Sequence, residues 1–138
     1  MGWTFYNASG QRLSTAARPL KSTVTYSSRT AAAASDNDVA YTGAGFQPTA
    51  VIIVAQGNTQ DNISFGFGDD ANDQQSVFAR ALGGTPVMER SAPFIITAIN
   101  GSDFQKAALV SLDADGITLD WTKGSSGEAV NFVIYYLG

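Results

Sequence analysis

From residue 39 onward the chain is a succession of short apolar runs divided at close spacing by Gly, Asn, Asp and Pro, the pattern of an antiparallel β-sandwich or barrel. The runs fall near 39–42, 50–55, 63–68, 76–82, 94–99, 107–112, 117–122 and 129–137 and predict about eight strands. Ile117, Leu119 and Trp121 alternate with Thr118 and Asp120, as on a half-buried strand with one wet face. Asp113-Ala114-Asp115-Gly116 joins that strand to the preceding one as a tight turn, and Asn100-Gly101 reads as a second hairpin turn. Two segments break the alternation. Residues 50–55 (AVIIVA) and 130–137 (VNFVIYYL) are apolar on both faces apart from Asn131. A small sandwich covers one face of such a strand with its opposite sheet, so the other face must meet a loop, the N-terminal segment or another subunit. An oligomer interface is therefore expected, with Val130, Phe132, Ile134 and Tyr136 as its candidate residues.

The first 35 residues read differently. Trp3 and Phe5 alternate with Thr4 and Tyr6 in a strand-like start, residues 7–10 (NASG) are turn chemistry, and Ser, Thr, Ala and Arg follow with Pro19 among them. Too few large apolar groups are present for a core of their own. Anchors such as Trp3, Phe5, Tyr6, Leu13, Leu20, Val24 and Tyr26 offset the ordering entropy only by docking on something else. The run TAAAASDN at 30–37 is a linker, because four alanines cannot sustain a helix. The expected organisation is an extended basic arm over 1–35 and a β-sandwich over 36–138. Docking falls to Trp3, Phe5, Tyr6, Arg12, Leu13, Arg18 and Lys21.

Charge sharpens that division. Residues 1–35 hold four basic side chains and no acidic one, whereas 36–138 hold four basic against twelve acidic, a net −8. A body so rich in carboxylates lacks the clustered basic face that phosphate neutralisation needs, so nucleic acid is not an expected partner. No apolar run approaches the roughly 18 residues of a membrane span, and the opening MGWTFYNASG lacks a secretory signal. Neither a membrane partner nor secretion is expected.

The 138 residues contain no histidine and no cysteine, which removes His-dependent nucleophile systems, His/Cys zinc sites, thiol redox chemistry and disulfides. Charged residues make up 14%, against about 25% in an average soluble protein, and Gly, Ser and Thr are abundant, as in β-proteins. The acidic loop with Asp69, Asp70 and Asp73 is the best metal candidate, but Asp-rich loops between strands are ordinary turn chemistry. Asp113-Ala114-Asp115-Gly116 fails as an EF-hand start, because Gly124 stands where the bidentate Glu belongs. Only two glutamates exist, Glu89 and Glu128, both in or beside expected loops, which argues against a glycosidase pair. Ser64-Phe65-Gly66-Phe67-Gly68 lacks the Lys-Ser/Thr of a phosphate loop. The expectation is a protein without catalytic residues, cofactor or metal.

Four segments carry a resemblance: residues 42–52 (TGAGFQPTAVI), 63–68 (ISFGFG), 109–122 (LVSLDADGITLDWT) and 134–138 (IYYLG). Over 39–138, and in the same order, they are similar to a β-module of tailed-phage virion proteins. The start GWTFYNASGQRL resembles the entry segment of phage fibre and decoration proteins. Departures are Ile117, where that module usually has Phe, and Tyr136, where it usually has Ala. The resemblance implies a jelly-roll-like antiparallel sandwich that assembles as a homotrimer on a virion, made in the host cytoplasm and partnered by copies of itself and by the major capsid protein or another virion protein. The implied role is capsid decoration, as a cement or head-fibre protein. The alternative is a tail-fibre or receptor-binding tip that binds host carbohydrate.

Overall fold

The computed structural model describes residues 5–6, 9, 12–13, 21–35, 37–57, 62–82, 85–100 and 102–138. In chain order the strands are β1 (Phe5–Tyr6), β2 (Arg12–Leu13), β3 (Ser22–Arg29), β4 (Asn37–Thr42), β5 (Ala50–Gly57), β6 (Ile63–Gly68), β7 (Gln74–Leu82), β8 (Thr85–Ser91), β9 (Ile96–Asn100), β10 (Asp103–Asp113), β11 (Gly116–Gly124) and β12 (Val130–Leu137). Among the described residues β1 and β2 pair with each other, setting Phe5 opposite Leu13 and Tyr6 opposite Arg12. The other ten form two antiparallel sheets packed face to face, one in the order β3-β12-β5-β6-β7-β8 and one in the order β4-β11-β10-β9. The described residues are all-β, as the alternation and composition imply.

Two strands lie where the sequence pattern points elsewhere. Residues 22–29, assigned by composition to the arm, form β3 and pair with β12 along their whole length from Ser22↔Leu137 to Arg29↔Val130. That stretch belongs to the sandwich, so the boundary expected at 35/36 lies before Ser22. β3 looks unlike a strand of the core because its inward positions are Thr23, Thr25 and Ser27; the Thr23 hydroxyl donates to Ala44 O at 2.8 Å. β8 closes the opposite edge with Pro86 in it, a residue that edge strands tolerate.

The core fills the space between the sheets. Val51, Ile53, Ala55, Val130, Phe132, Ile134 and Tyr136 from one side meet Ile96, Ala98, Ala107, Leu109, Ile117, Leu119 and Trp121 from the other. The Phe132 ring lies 5.2 Å from that of Tyr41, edge to face, and 5.7 Å from that of Trp121. The four residues expected at an oligomer interface are thus core residues. Val130, Phe132, Ile134 and Tyr136 are no more than 1% exposed, and no other subunit can reach them in the folded chain. The reason is parity: the strand is apolar on both faces, and the register with β5 turns its even-numbered members inward.

Polar groups inside the sandwich are stapled across it. The Gln74 side chain replaces a neighbouring strand for Leu109, accepting from its N–H at 2.5 Å and donating to its C=O at 2.8 Å, next to the β10 bulge. Ser76 Oγ and Thr97 Oγ1 share a hydrogen bond at 3.1 Å, and Thr97 N–H donates to Ser64 Oγ at 3.2 Å. At one end Arg29 donates from Nε to Gln105 Oε1 at 2.7 Å and from Nη2 to Asn37 Oδ1 at 2.8 Å and to Ala34 O, with its guanidinium 4.7 Å from the Trp121 ring.

Candidate interaction surface

The outer faces of the two sheets have opposite character. On the four-stranded sheet the outward positions include Asp38, Ala40 and Thr42 on β4 and Thr118, Asp120 and Thr122 on β11, a wet surface with Asp38 directly opposite Asp120. On the six-stranded sheet the outward positions form apolar rows across the strands. One row runs Tyr26, Val133, Val54, Phe65, Val77 and Arg90, and the next runs Val24, Tyr135, Ile52, Phe67 and Gln75. Phe65 and Phe67 are each 51% exposed and Tyr26 71%. Isolated exposed apolar residues are ordinary, whereas contiguous ones mark an interaction surface.

β6 shows why this face is apolar. Its sequence alternates in reverse: Ser64, Gly66 and Gly68 point into the sandwich, and Ile63, Phe65 and Phe67 point out. The inward positions have to be small because the chain entering β9 crosses close over β6. A Cβ at Gly66 would collide with the Ile95 carbonyl oxygen. The two phenylalanines therefore contribute nothing to the chain's own core.

A recess of about 250 Å³ opens at one end of this face, floored by Ala50, Ile52, Phe67 and Leu137 and rimmed by Asp69 and Asp73. The loop that carries the rim is held by Asp70, whose Oδ1 accepts the N–H groups of Asn72 at 2.5 Å and Asp73 at 2.8 Å. Asp70 is thereby committed to turn geometry. Among the described residues no three His, Cys, Asp or Glu side chains gather as metal ligands would.

The expected docking residues divide. Trp3 and Arg18 lie outside the described residues, and Phe5, Tyr6, Arg12 and Leu13 are placed only as the paired backbone of β1 and β2. Lys21 is exposed, exchanges both backbone hydrogen bonds with Gly138 and holds its Nζ 5.7 Å from the Phe46 ring centroid. Lys21 therefore sits at the Gly138 end of the sheet and not in the apolar rows. The residues that do line the apolar face were visible in the sequence as the two-faced runs 50–55 and 130–137 and as ISFGFG, but parity alone leaves open which half points outward.

Titration adds structural information. Burial lowers the Arg29 pKa, partly offset by nearby Tyr41, and burial raises the Tyr41 and Tyr136 phenols. All three belong to the packing of the core and its polar end, away from the apolar face. No family model, curated protein or solved structure matches the chain.

Proposed function

We propose that this chain is a structural protein of a tailed-phage virion, a homotrimeric capsid decoration protein tied to the capsid by its N-terminal arm. The virion setting and the number of copies rest on the sequence resemblance. The observation that carries an adhesive role is the reversed alternation of β6, which spends Phe65 and Phe67 on the outside of a sheet whose inside requires glycine. A side chain that costs solubility and gives nothing to the fold is accounted for by a partner. The oppositely charged arm, whose sequence holds Trp3, Arg12 and Arg18, supplies a second contact.

Co-sedimentation of the full-length chain with capsids tests this. A Trp3→Ala/Arg12→Glu/Arg18→Glu variant should lose capsid binding while keeping its fold and its association state. Undiminished binding would refute the arm's role, and wild-type chain that ignores capsids would refute the reading itself. A second reading, a receptor-binding tip, draws on the recess, whose lining combines the aromatic Phe67 with Asp69 and Asp73, the residue types of a sugar site. A glycan array tests it, and density for the chain in a virion map separates head from tail.

A further inference from the structure

We propose that the outer face of the six-stranded sheet is covered by a second copy of this chain, related by a rotation axis running along the strands, so that Tyr26 of one copy meets Arg90 of the next. This deepens the assembly reading above and rests on it.

Size is the first argument. The exposed fractions of the large apolar side chains on this face, from Val24 and Tyr26 to Val77, leave on the order of 700 Å² open. A standard interface buries about 800 Å² per partner, so the face alone nearly suffices for a stable contact. A loop or a short peptide would cover only part of six strands.

Complementarity is the second. Tyr26 and Arg90 end the same cross-strand row at opposite edges of the sheet, Tyr26 on β3 and Arg90 on β8, with Val133, Val54, Phe65 and Val77 between them. Any axis along the strands, twofold or threefold, keeps that row at its own height and brings the β3 edge of one copy to the β8 edge of the next. Tyr26 is held by its hydroxyl, which donates to Asn131 Oδ1 at 3.0 Å, and it presents an open ring. Arg90 is exposed and has no carboxylate or ring partner among the described residues. A guanidinium over a tyrosine ring satisfies both, and it removes the cost of covering the one cation of the row unpaired. Each copy gives its Tyr26 to one such contact and its Arg90 to another, which is what closed symmetry requires.

Sedimentation velocity and native mass spectrometry on the full-length chain test the proposal, with circular dichroism to establish that each variant is folded. Wild-type chain should associate at micromolar concentration, and folded Phe65→Asp should be monomeric. Tyr26→Ala and Arg90→Glu should each weaken association about tenfold, and the double variant should be little worse than either, because both lose one shared contact. Wild-type chain that stays monomeric at about 100 µM overturns the proposal. So does folded Phe65→Asp that associates like wild type, and so does association indifferent to both Tyr26→Ala and Arg90→Glu. The virion reading is judged separately, by capsid co-sedimentation of the same samples; a chain that self-associates through this face yet ignores capsids refutes that reading and leaves this one standing.

Discussion

The Asp115 carboxylate accepts the Gly45 amide N–H through Oδ1 at 2.6 Å, across seventy positions of sequence. Its second oxygen accepts from Gly43 at 3.3 Å, and its backbone carbonyl accepts from Gly43 at 3.0 Å and Ala44 at 3.2 Å. Nearby, the Gln47 amide donates to Leu112 O at 3.0 Å. The TGAGFQP loop and the DADG turn are thus fastened to each other. Their residue types are explained by this one junction, which locks β4 and β11 at the end of the sheet. They carry information about the fold and none about chemistry.

Asp115→Ala should therefore lower stability without altering any surface used for binding. The lost hydrogen bonds are to an ionised acceptor but lie in solvent, so the cost is about 1 kcal/mol. Gly116→Ala should cost more, because a Cβ there would run into the Tyr41 carbonyl oxygen. Urea denaturation of the two variants gives the comparison, and equal midpoints would contradict this account of the junction.

Arg29 is the most constrained side chain of the opposite end. Removing it leaves Gln105 Oε1, Asn37 Oδ1 and Ala34 O without their donor and uncovers the Trp121 ring. Arg29→Ala should destabilise by about 3 kcal/mol. Arg29→Lys should recover little, since one ammonium cannot reproduce a planar fork over an indole. Chemical denaturation with a matched set of Ala, Lys and Met variants checks the order.

Tyr41 and Tyr136 predict an alkaline limit. Burial raises both phenols above the ordinary value near 10, so the folded chain holds protons that the unfolded chain releases. The stability from this source is complete below the unfolded pKa and is lost as pH climbs from about 10 through the folded values. Unfolding midpoints should fall above pH 10, and the fall should be shallower in Tyr136→Phe than in wild type. An identical slope would mean that Tyr136 ionises as easily folded as unfolded.

Adjacent residues on β12 should fail in different ways. Ile134→Asp places a carboxylate among Ile53, Leu119 and their neighbours with no partner, and the chain should not fold. Tyr135→Asp, one position on and 42% exposed, should fold normally and weaken association instead. Circular dichroism paired with sedimentation separates the outcomes. A folded monomer from Ile134→Asp would return that residue to the outside.

These pairs show what the sequence made legible. Alternation in 117–121 and turn chemistry at 113–116 placed β11 and its hairpin, and eight runs stood out because each held β-branched or aromatic residues between Gly, Asn and Asp. β3 did not stand out because an edge strand over the sandwich rim needs hydroxyls at Thr23 and Thr25 more than bulk. The surface was half legible. Excess apolar character in 50–55 and 130–137 announced a second face, but choosing Val130, Phe132, Ile134 and Tyr136 over Asn131, Val133 and Tyr135 required the register with β5, which is a long-range property.

β6 allows the sharpest test, because its two faces make opposite demands within three residues. Gly66→Ala adds one methyl where the Ile95 carbonyl already sits, so β9 must shift away from β6. Because β9 also carries Ile96 and Ala98 into the core and Thr97 into the Ser64 and Ser76 hydrogen bonds, the shift propagates, and a loss of several kcal/mol is expected. Phe65→Ser removes a far larger side chain, yet its stability as a monomer should stay within about 0.5 kcal/mol of wild type. Thermal unfolding at low protein concentration reads the first effect, and the concentration dependence of Tm reads the second. Wild type should melt higher as concentration rises, by mass action, and Phe65→Ser should not. If Phe65→Ser is instead as damaging as Gly66→Ala at low concentration, then the outer face supports the fold itself and the case for a partner falls.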